Sequence, residues 1–383
     1  MNVWPVALAY AALFARKRQL ALRYLAENRT LPGATNGARP EPATIVQPIL
    51  SGDPRLAETL EHNVREIENA AFVWLVDAED RVALDVCAAI AARHPQRDVR
   101  VVTCPPAAER DNPKLFKLAL AGAHVRTDAL VVVDDDTMLT ATGYAALLAA
   151  LETHALATGL PEYVSDADLP SALVEQFVDN SAALTYLAWC AQAPPITING
   201  MCYALRTSTV ARIGGFGTYL RWLPDDLAIA HGVRGSGGSI HQTPYAHRIR
   251  TTVRDAAHYA SLMHRWYLFA LLLLASAPVR TRVAIVANYA LPSLLLWTVL
   301  GGALLSRTPA NAVAAATLLA TRALALADVQ RRTYGRSRHR PLVSIVAELA
   351  EPLHALHALA RKTIRWRSRQ IVVRGADDFS VVR

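Results

Sequence analysis

The hydrophobic pattern divides the chain into a front part built of short apolar runs and a rear third built of long ones. Thr44–Leu50, Ala71–Val76, Val99–Thr103 and Ala129–Val133 are short, β-branched runs bounded by polar residues, and they predict buried strands. The polar-apolar stretches between them predict helices over 56–68, 82–93 and 114–124. Ile196–Arg206 reads as a strand followed by a helix start, and an apolar helix follows over 227–233. Strands alternating with helices argue an α/β fold with a mostly parallel sheet and a nucleotide-type site at its edge. Residues 30–42, rich in Gly, Pro and Asn, read as a linker into this region.

The rear third has a different period. Tyr267–Pro278 is apolar, and Arg280-Thr281-Arg282 interrupts. Val283–Leu305 is long enough to cross a bilayer, with Pro292 placed to kink it. Pro309–Ala327 is a second candidate that carries Arg322. The strongly basic loop Arg331–Arg340 should stay on the cytoplasmic side. Pro341–Ala360 is amphipathic, with Glu348, Glu351, His354 and His357, and reads equally as an interfacial helix, a re-entrant helix or a span. At the other end, Val3–Ala15 is short for a full span and precedes Arg16-Lys17-Arg18. It reads as a signal anchor, a truncated transmembrane helix or an interfacial helix. The expected parts are an N-terminal anchor over 1–24, a catalytic domain over 43–265 and membrane helices with a basic C-terminal segment over 266–383.

Composition sharpens this picture. A length of 383 residues exceeds the usual single domain. A hydrophobic fraction of 52% and a mean hydropathy of +0.19 are high for a purely soluble protein. The net charge is +8. The basic residues cluster beside apolar stretches near the C-terminus, which suits an anionic membrane surface. Nucleic-acid binding is not expected, because it would need a basic face within 43–250, where the candidate acidic residues lie. Four cysteines without a CxxC pair argue for isolated thiols in a reducing compartment. The alanine and arginine richness points to a GC-rich bacterium, and so to a multi-pass protein of a bacterial inner membrane with its catalytic domain in the cytoplasm.

The candidate chemistry centres on Asp134-Asp135-Asp136, which follow the strand Ala129–Val133. Three carboxylates at the C-terminal mouth of a strand stand where open α/β sheets bind ligands. Packed so closely, they repel one another unless a cation is present. Mg²⁺ or Mn²⁺, which prefer oxygen ligands, would supply it and hold a diphosphate. The alternative is a solvated Asp-rich turn. Asp77, Glu79 and Asp80 end the second strand. Asp80 suits a helix cap, and Asp77 a hydrogen bond to a nucleotide. Lys114, in Asn112-Pro113-Lys114, opens a helix where cations are disfavoured, which a diphosphate at that N-terminus would explain. Asp225-Asp226 precede an apolar helix. Asp226 reads either as its N-cap or as a general base that deprotonates an acceptor hydroxyl. Arg265-Trp266 sit where polar sequence meets apolar. They read either as interface anchors or as a diphosphate contact and an acceptor-site wall.

In order, these residues resemble the ceramide glucosyltransferases, glycosyltransferase family 21, relatives of family 2. The resemblance runs from about Ile45 to the C-terminus. Its carriers are Pro48–Pro54, Val76–Cys87, Asn112-Pro113-Lys114, Asp134-Asp135-Asp136, Gly200-Met201-Cys202, Gly214-Gly215, Pro224-Asp225-Asp226 and Ile364-Arg365-Trp366-Arg367. It implies a GT-A (Rossmann-like) catalytic domain plus C-terminal transmembrane or interfacial helices, a UDP-sugar donor, a divalent metal and a lipid alcohol acceptor. It also implies inversion to a β-glycoside on the cytosolic membrane face. By position, it assigns Asp226 as catalytic base and Asp77, Asp80, Lys114, Asp134, Asp136 and Arg265 to the donor. Asp136 and Asp134 fall to the metal, and Asp225 and Trp266 to the acceptor. This chain departs from the family pattern at Leu262, where Gln or Arg is usual, at Ala78, which stands opposite the family's second-strand aspartate, and at Asp225, which replaces Glu. The leading expectation is glucose transfer from UDP-glucose to ceramide. Transfer of N-acetylglucosamine to a hopanoid or another lipid alcohol is the alternative within the class, and a silent membrane scaffold the alternative outside it.

Overall fold

The computed structural model describes residues 2–29, 42–166, 168–366 and 369–382. The linker expected over 30–42 therefore falls almost wholly outside the described residues, as does Arg367. The chain forms two compact units: Glu27–Ser165 with Ala193–Thr252 and Trp366–Arg383, and Met1–Ala26 with Asp166–Gln192 and Val253–Arg365. A hydropathy profile is linear, whereas packing recruits an internal segment to the helical unit and a terminal one to the sheet unit.

The sheet unit is built on β1 (Ala43–Ile49), β2 (Ala70–Asp77), β3 (Val99–Cys104), β4 (Ala129–Val133), β5 (Thr137–Met138), β6 (Leu156–Tyr163), β7 (Cys202–Arg206) and β8 (Ile240–Ile249). Their order is β3-β2-β1-β4-β7-β6-β8-β5. β1 to β4 run parallel, with Val46 opposite both Val73 and Val132. β7 then enters antiparallel between β4 and β6, and β5 pairs antiparallel with β8. β6 and β8 pair parallel again, so the sheet is mixed, with parallel pairings in the majority. The pairing of β1 with β4 covers only Thr44–Val46. Pro48 lies beyond it, where the missing N–H breaks no bond to β4.

Alternation along the strands sends side chains to two apolar layers. One layer carries Ile45, Phe72, Trp74 and Val131 against α2 (Leu56–Glu66), α3 (Arg81–Arg93) and α5 (Ala141–Ala150). The other carries Val46, Leu75, Val132 and Tyr203 against α4 (Pro113–Ala121) and α8 (Asp225–Gly235). The short helix α7 (Thr207–Arg212) follows β7. Gly159 in β6 is required by crowding: a Cβ there would stand 2.5 Å from the ring nitrogen of His247.

The helical unit contains α1 (Trp4–Asn28), α6 (Leu169–Ala182), α9 (Ala256–Ser276), α10 (Val279–Ser306), α11 (Pro309–Tyr334) and α12 (Pro341–Ala360). The last three are long and apolar enough to cross a membrane. Val3, just before α1, and Ala7 and Tyr10 of α1 pack with Leu296, Val299, Ala314 and Leu318 of α10 and α11. In α10 a π-helical turn spans Val286–Ala290. Pro292 has no N–H to give the Asn288 carbonyl. Lys17 Nζ of α1 donates to that carbonyl instead, at 2.9 Å. Arg322, which interrupts the apolar run of α11, meets Glu348 of α12 at 2.5 Å and also donates to Tyr10 Oη at 3.0 Å. After α12, Thr363–Trp366 forms β9, and β10 (Arg369–Val373) pairs antiparallel with β11 (Phe379–Val382).

Candidate functional site

The C-terminal ends of β1, β2 and β4 carry Ser51, Asp77 and Asp134-Asp135-Asp136. On the same side, α4 and α8 present their N-termini. Asn112 makes this local geometry. Its side-chain oxygen caps α4 by accepting from the N–H groups of Lys114 and Leu115. Its amide donates to the carbonyls of Trp222 and Leu223, at 3.0 and 2.9 Å. One residue therefore fixes the start of α4 and the loop that leads into α8. The C-terminal hairpin adds a second tie, with Leu223 N–H donating to the Ala376 carbonyl at 2.8 Å.

Lys114 is the centre of the cluster. Its Nζ lies 2.7 Å from Asp134 Oδ1 and 2.8 Å from Asp225 Oδ2, and it donates to the Gly200 carbonyl at 2.8 Å. Burial alone would pull its pKa down, but attraction to Asp134 and Asp225 outweighs that and holds it well above the usual lysine value. Asp134 is raised, by desolvation first and by Asp225 second, against the pull of Lys114. Asp225 and Asp226 are the first two residues of α8, and Pro224 precedes them as the cap. Asp226 is thus not the N-cap. Its Oδ1 accepts from Leu227 N–H at 2.7 Å. Desolvation, then repulsion by Asp225, raises its pKa to about 7, in the range of a working general base at neutral pH. Gly200 lets the loop before β7 press on this pair, since a Cβ there would stand 3.1 Å from Asp226 Cβ.

The remaining acidic residues divide by environment. Both carboxylate oxygens of Asp80 are used by the backbone, one accepting from Ala83 N–H as the cap of α3 and one from Ser51 N–H at 2.7 Å. Asp77 instead meets Lys117 Nζ at 3.0 Å, and Lys117 also donates to the Ile49 carbonyl. Asp135 accepts from Leu50 N–H at 2.8 Å. Asp136 accepts from the Thr251 hydroxyl at 2.5 Å and the Thr137 hydroxyl at 3.3 Å. Thr252 is held in turn by Asp53, which accepts from both its N–H and its hydroxyl.

Arg265 and Trp266 belong to the helical unit. Both lie on α9, where Trp266 stacks on Phe177 of α6 at a centroid distance of 6.0 Å and Leu262 is buried. Lys117 has no functional reading from sequence, and Asn112 and Gly200 enter there only as members of motifs that carry the resemblance. Lys117 had a signal: it lies one turn after Lys114, so both lysines share a helix face. Asn112 and Gly200 act through contacts with distant segments, which no local pattern reports.

Among the described residues, no three His, Cys, Asp or Glu side chains gather into a ready metal cage. The donor set nevertheless fits Mg²⁺ or Mn²⁺. Asp134 and Asp136 supply oxygens only, and such ions are commonly held by one or two carboxylates plus substrate phosphates.

Among solved structures, the mannosyltransferase PcManGT from Pyrobaculum calidifontis, in complex with GDP-Man and Mn²⁺, matches with a TM-score of 0.52 at 18% identity. The match covers 94% of this chain and 98% of that one. GalNAc-T7 with UDP, GalNAc and Mn²⁺ matches with a TM-score of 0.43 at 10% identity, over 66% of this chain and 55% of that one. No curated protein matches by sequence. The fold is GT-A, a mixed α/β sheet with apolar C-terminal helices. The family model for glycosyl transferase family 21 matches residues 4–377, nearly the whole length, and the chain belongs to that family.

Proposed function

We propose that this glycosyltransferase moves glucose from UDP-glucose to the hydroxyl of a membrane lipid such as ceramide, giving a β-glycoside. The observation that carries the proposal is the Lys114 bridge. It joins Asp134, on the strand-end side where a nucleotide sugar would lie, to Asp225, the neighbour of the raised carboxylate Asp226. In the proposed reaction Asp226 takes the proton of the acceptor hydroxyl, and that oxygen attacks the anomeric carbon from the face opposite the leaving group. The bond from the anomeric carbon to the diphosphate oxygen breaks, its electron pair stays with that oxygen, and UDP leaves. One-step displacement inverts the anomeric centre. Asp134 and Asp136 would hold Mg²⁺ or Mn²⁺, which offsets charge on the departing diphosphate. Asp77, held by Lys117, is assigned to the nucleoside. Lys114 keeps Asp225 and Asp134 from repelling each other.

The apolar helices support a multi-pass membrane protein, and the basic stretch Arg331–Arg340 supports a cytoplasmic site. Arg265 and Trp266, proposed for the diphosphate and the acceptor, rest on the resemblance of their motif. The test is purified enzyme in lipid nanodiscs with UDP-glucose and Mn²⁺, with and without ceramide. Ceramide-dependent UDP release with glucosylceramide as product is expected. No product from ceramide, with product from another lipid alcohol or from UDP-N-acetylglucosamine, would replace the substrates and leave the reaction class standing.

A further inference from the structure

Among the described residues, three helices are long and apolar enough to cross a membrane, α10, α11 and α12. Three is an odd number, yet the chain enters this region from β8 and leaves it into β10 and β11, all within the sheet unit. A compact unit lies on one side of a bilayer, so the crossings between those two points must be even in number.

The contacts of α6 decide which helix stays behind. The segment Asp166–Gln192 leaves the sheet unit after β6 and returns to it at β7. It is too short for two crossings of about 20 residues each. It also buries Glu175, Gln176, Asp179 and Asn180, which a lipid-facing segment would not carry. α6 therefore remains on the side of the sheet unit. The chain between α11 and α12 is fastened to it. Arg340 N–H donates to Gln176 Oε1 at 2.9 Å, and Gln176 Nε2 donates to the Arg338 carbonyl at 3.0 Å. Asn180 Nδ2 donates to Ser344 Oγ at 2.9 Å, and Arg338 meets Glu175 at 3.5 Å. The start of α12 is thus on the same side as the sheet unit. Its end leads within a few residues to β10, whose hairpin is tied to Leu223 of that unit.

We infer that α12 does not cross the membrane. It lies along the leaflet on the catalytic side, with Leu342, Val346, Leu353, Leu356 and Leu359 against acyl chains, and α10 and α11 make the two crossings. The pattern of α12 fits this placement. Those five side chains recur at helical spacing and are each more than half exposed, while Ser344, Ala347 and Ala358 on the other face are buried. α9 does not disturb the parity. Its apolar run, Tyr267–Ser276, extends about 15 Å at the helical rise, half of a bilayer core. Arg331, Arg332 and Arg336 flank the start of α12 at the level of anionic headgroups. The apolar side of α12 thus borders the leaflet from which a lipid acceptor would be drawn.

The inference rests on the membrane-embedded reading, and the test separates the two. The background is Cys190→Ala, since Cys87, Cys104 and Cys202 are buried. Single cysteines are introduced as Ala310→Cys, Ser337→Cys and Lys362→Cys and labelled with a membrane-impermeant maleimide in sealed vesicles of both orientations. Positions 337 and 362 are expected to react from one face and 310 from the other. Reaction of 337 and 362 from opposite faces would mean that α12 crosses, and overturns the inference. Reaction of all three from one face overturns the α10–α11 crossings. Release of the protein by an alkaline carbonate wash would instead remove the membrane reading itself. Failure of the glucosyl-transfer assay alone would change none of these labelling patterns.

Discussion

Removing the Asp226 carboxylate tests the proposed chemistry most directly. Enclosure and the neighbouring Asp225 raise this group from an ordinary 3.8 to about 7. At about 1.4 kcal/mol per pH unit, the ionised form is disfavoured in the folded protein by about 4 kcal/mol. A base works as the carboxylate, so activity must rise with pH through this value. A single group titrating near 7 is about one tenth ionised at pH 6 and nine tenths at pH 8, so kcat/KM for the acceptor should climb about tenfold between them and level off above. Asp226→Asn should lose about 10²- to 10⁴-fold and lose the pH step with it. Stability should move the opposite way. A carboxyl with a raised pKa favours folding while protonated, and that advantage is lost as pH rises from about 4 toward 7. Asp226→Asn should therefore melt at a higher temperature than wild type at pH 8, with the gap narrowing at pH 5. The assays are UDP release at saturating donor across pH 5–9 and thermal unfolding of the same preparations. A wild-type profile flat through 7, or an Asp226→Asn variant within tenfold of wild type, would refute the base assignment.

Lys114→Met should leave Asp134 and Asp225 uncompensated and move the acidic limb of the pH profile upward, because Lys114 now lowers the Asp226 pKa. Gly200→Ala should cut kcat with little change in expression, since its Cβ would press on Asp226 at 3.1 Å. Chelation with EDTA should abolish transfer, and added Mn²⁺ should restore it in wild type but poorly in Asp136→Asn. Arg322→Ala should destabilise the helical unit by about 3–5 kcal/mol by leaving the largely buried Glu348 without its cation and with only the Tyr10 hydroxyl to donate to it, whereas Arg322→Met with Glu348→Leu should recover most of the loss, both read from unfolding in detergent.

Much of the architecture was legible along the chain. The strand runs at Thr44–Leu50, Ala71–Val76 and Ala129–Val133 were found almost to the residue, because a strand buried on both faces must be apolar throughout. The rear helices were visible for a similar reason, as length and hydropathy are local quantities. The antiparallel entry of β7 was not legible, because strand direction within a sheet depends on long connections rather than on composition. Nor was the extension of α8 over Asp225 and Asp226. An acidic pair before an apolar run reads as a cap, and only the fold supplies Pro224 in that place.

The site divides in the same way. By itself the sequence determined the chemical inventory: three crowded aspartates after a strand, a lysine at a helix start and an acidic pair before another helix. Each is a local pattern with a local physical reason. Only the tertiary structure decided their partners. α4 and α8 pack on the same face of the sheet, so Lys114 reaches both Asp134 and Asp225, while Asp80 turns to the backbone and Asp77 meets Lys117. Charges as far apart in the chain as Lys114 and Asp225 interact only when packing brings them within a few ångströms, because the Coulomb energy depends on distance in space and on the surrounding medium, neither of which the order of residues contains.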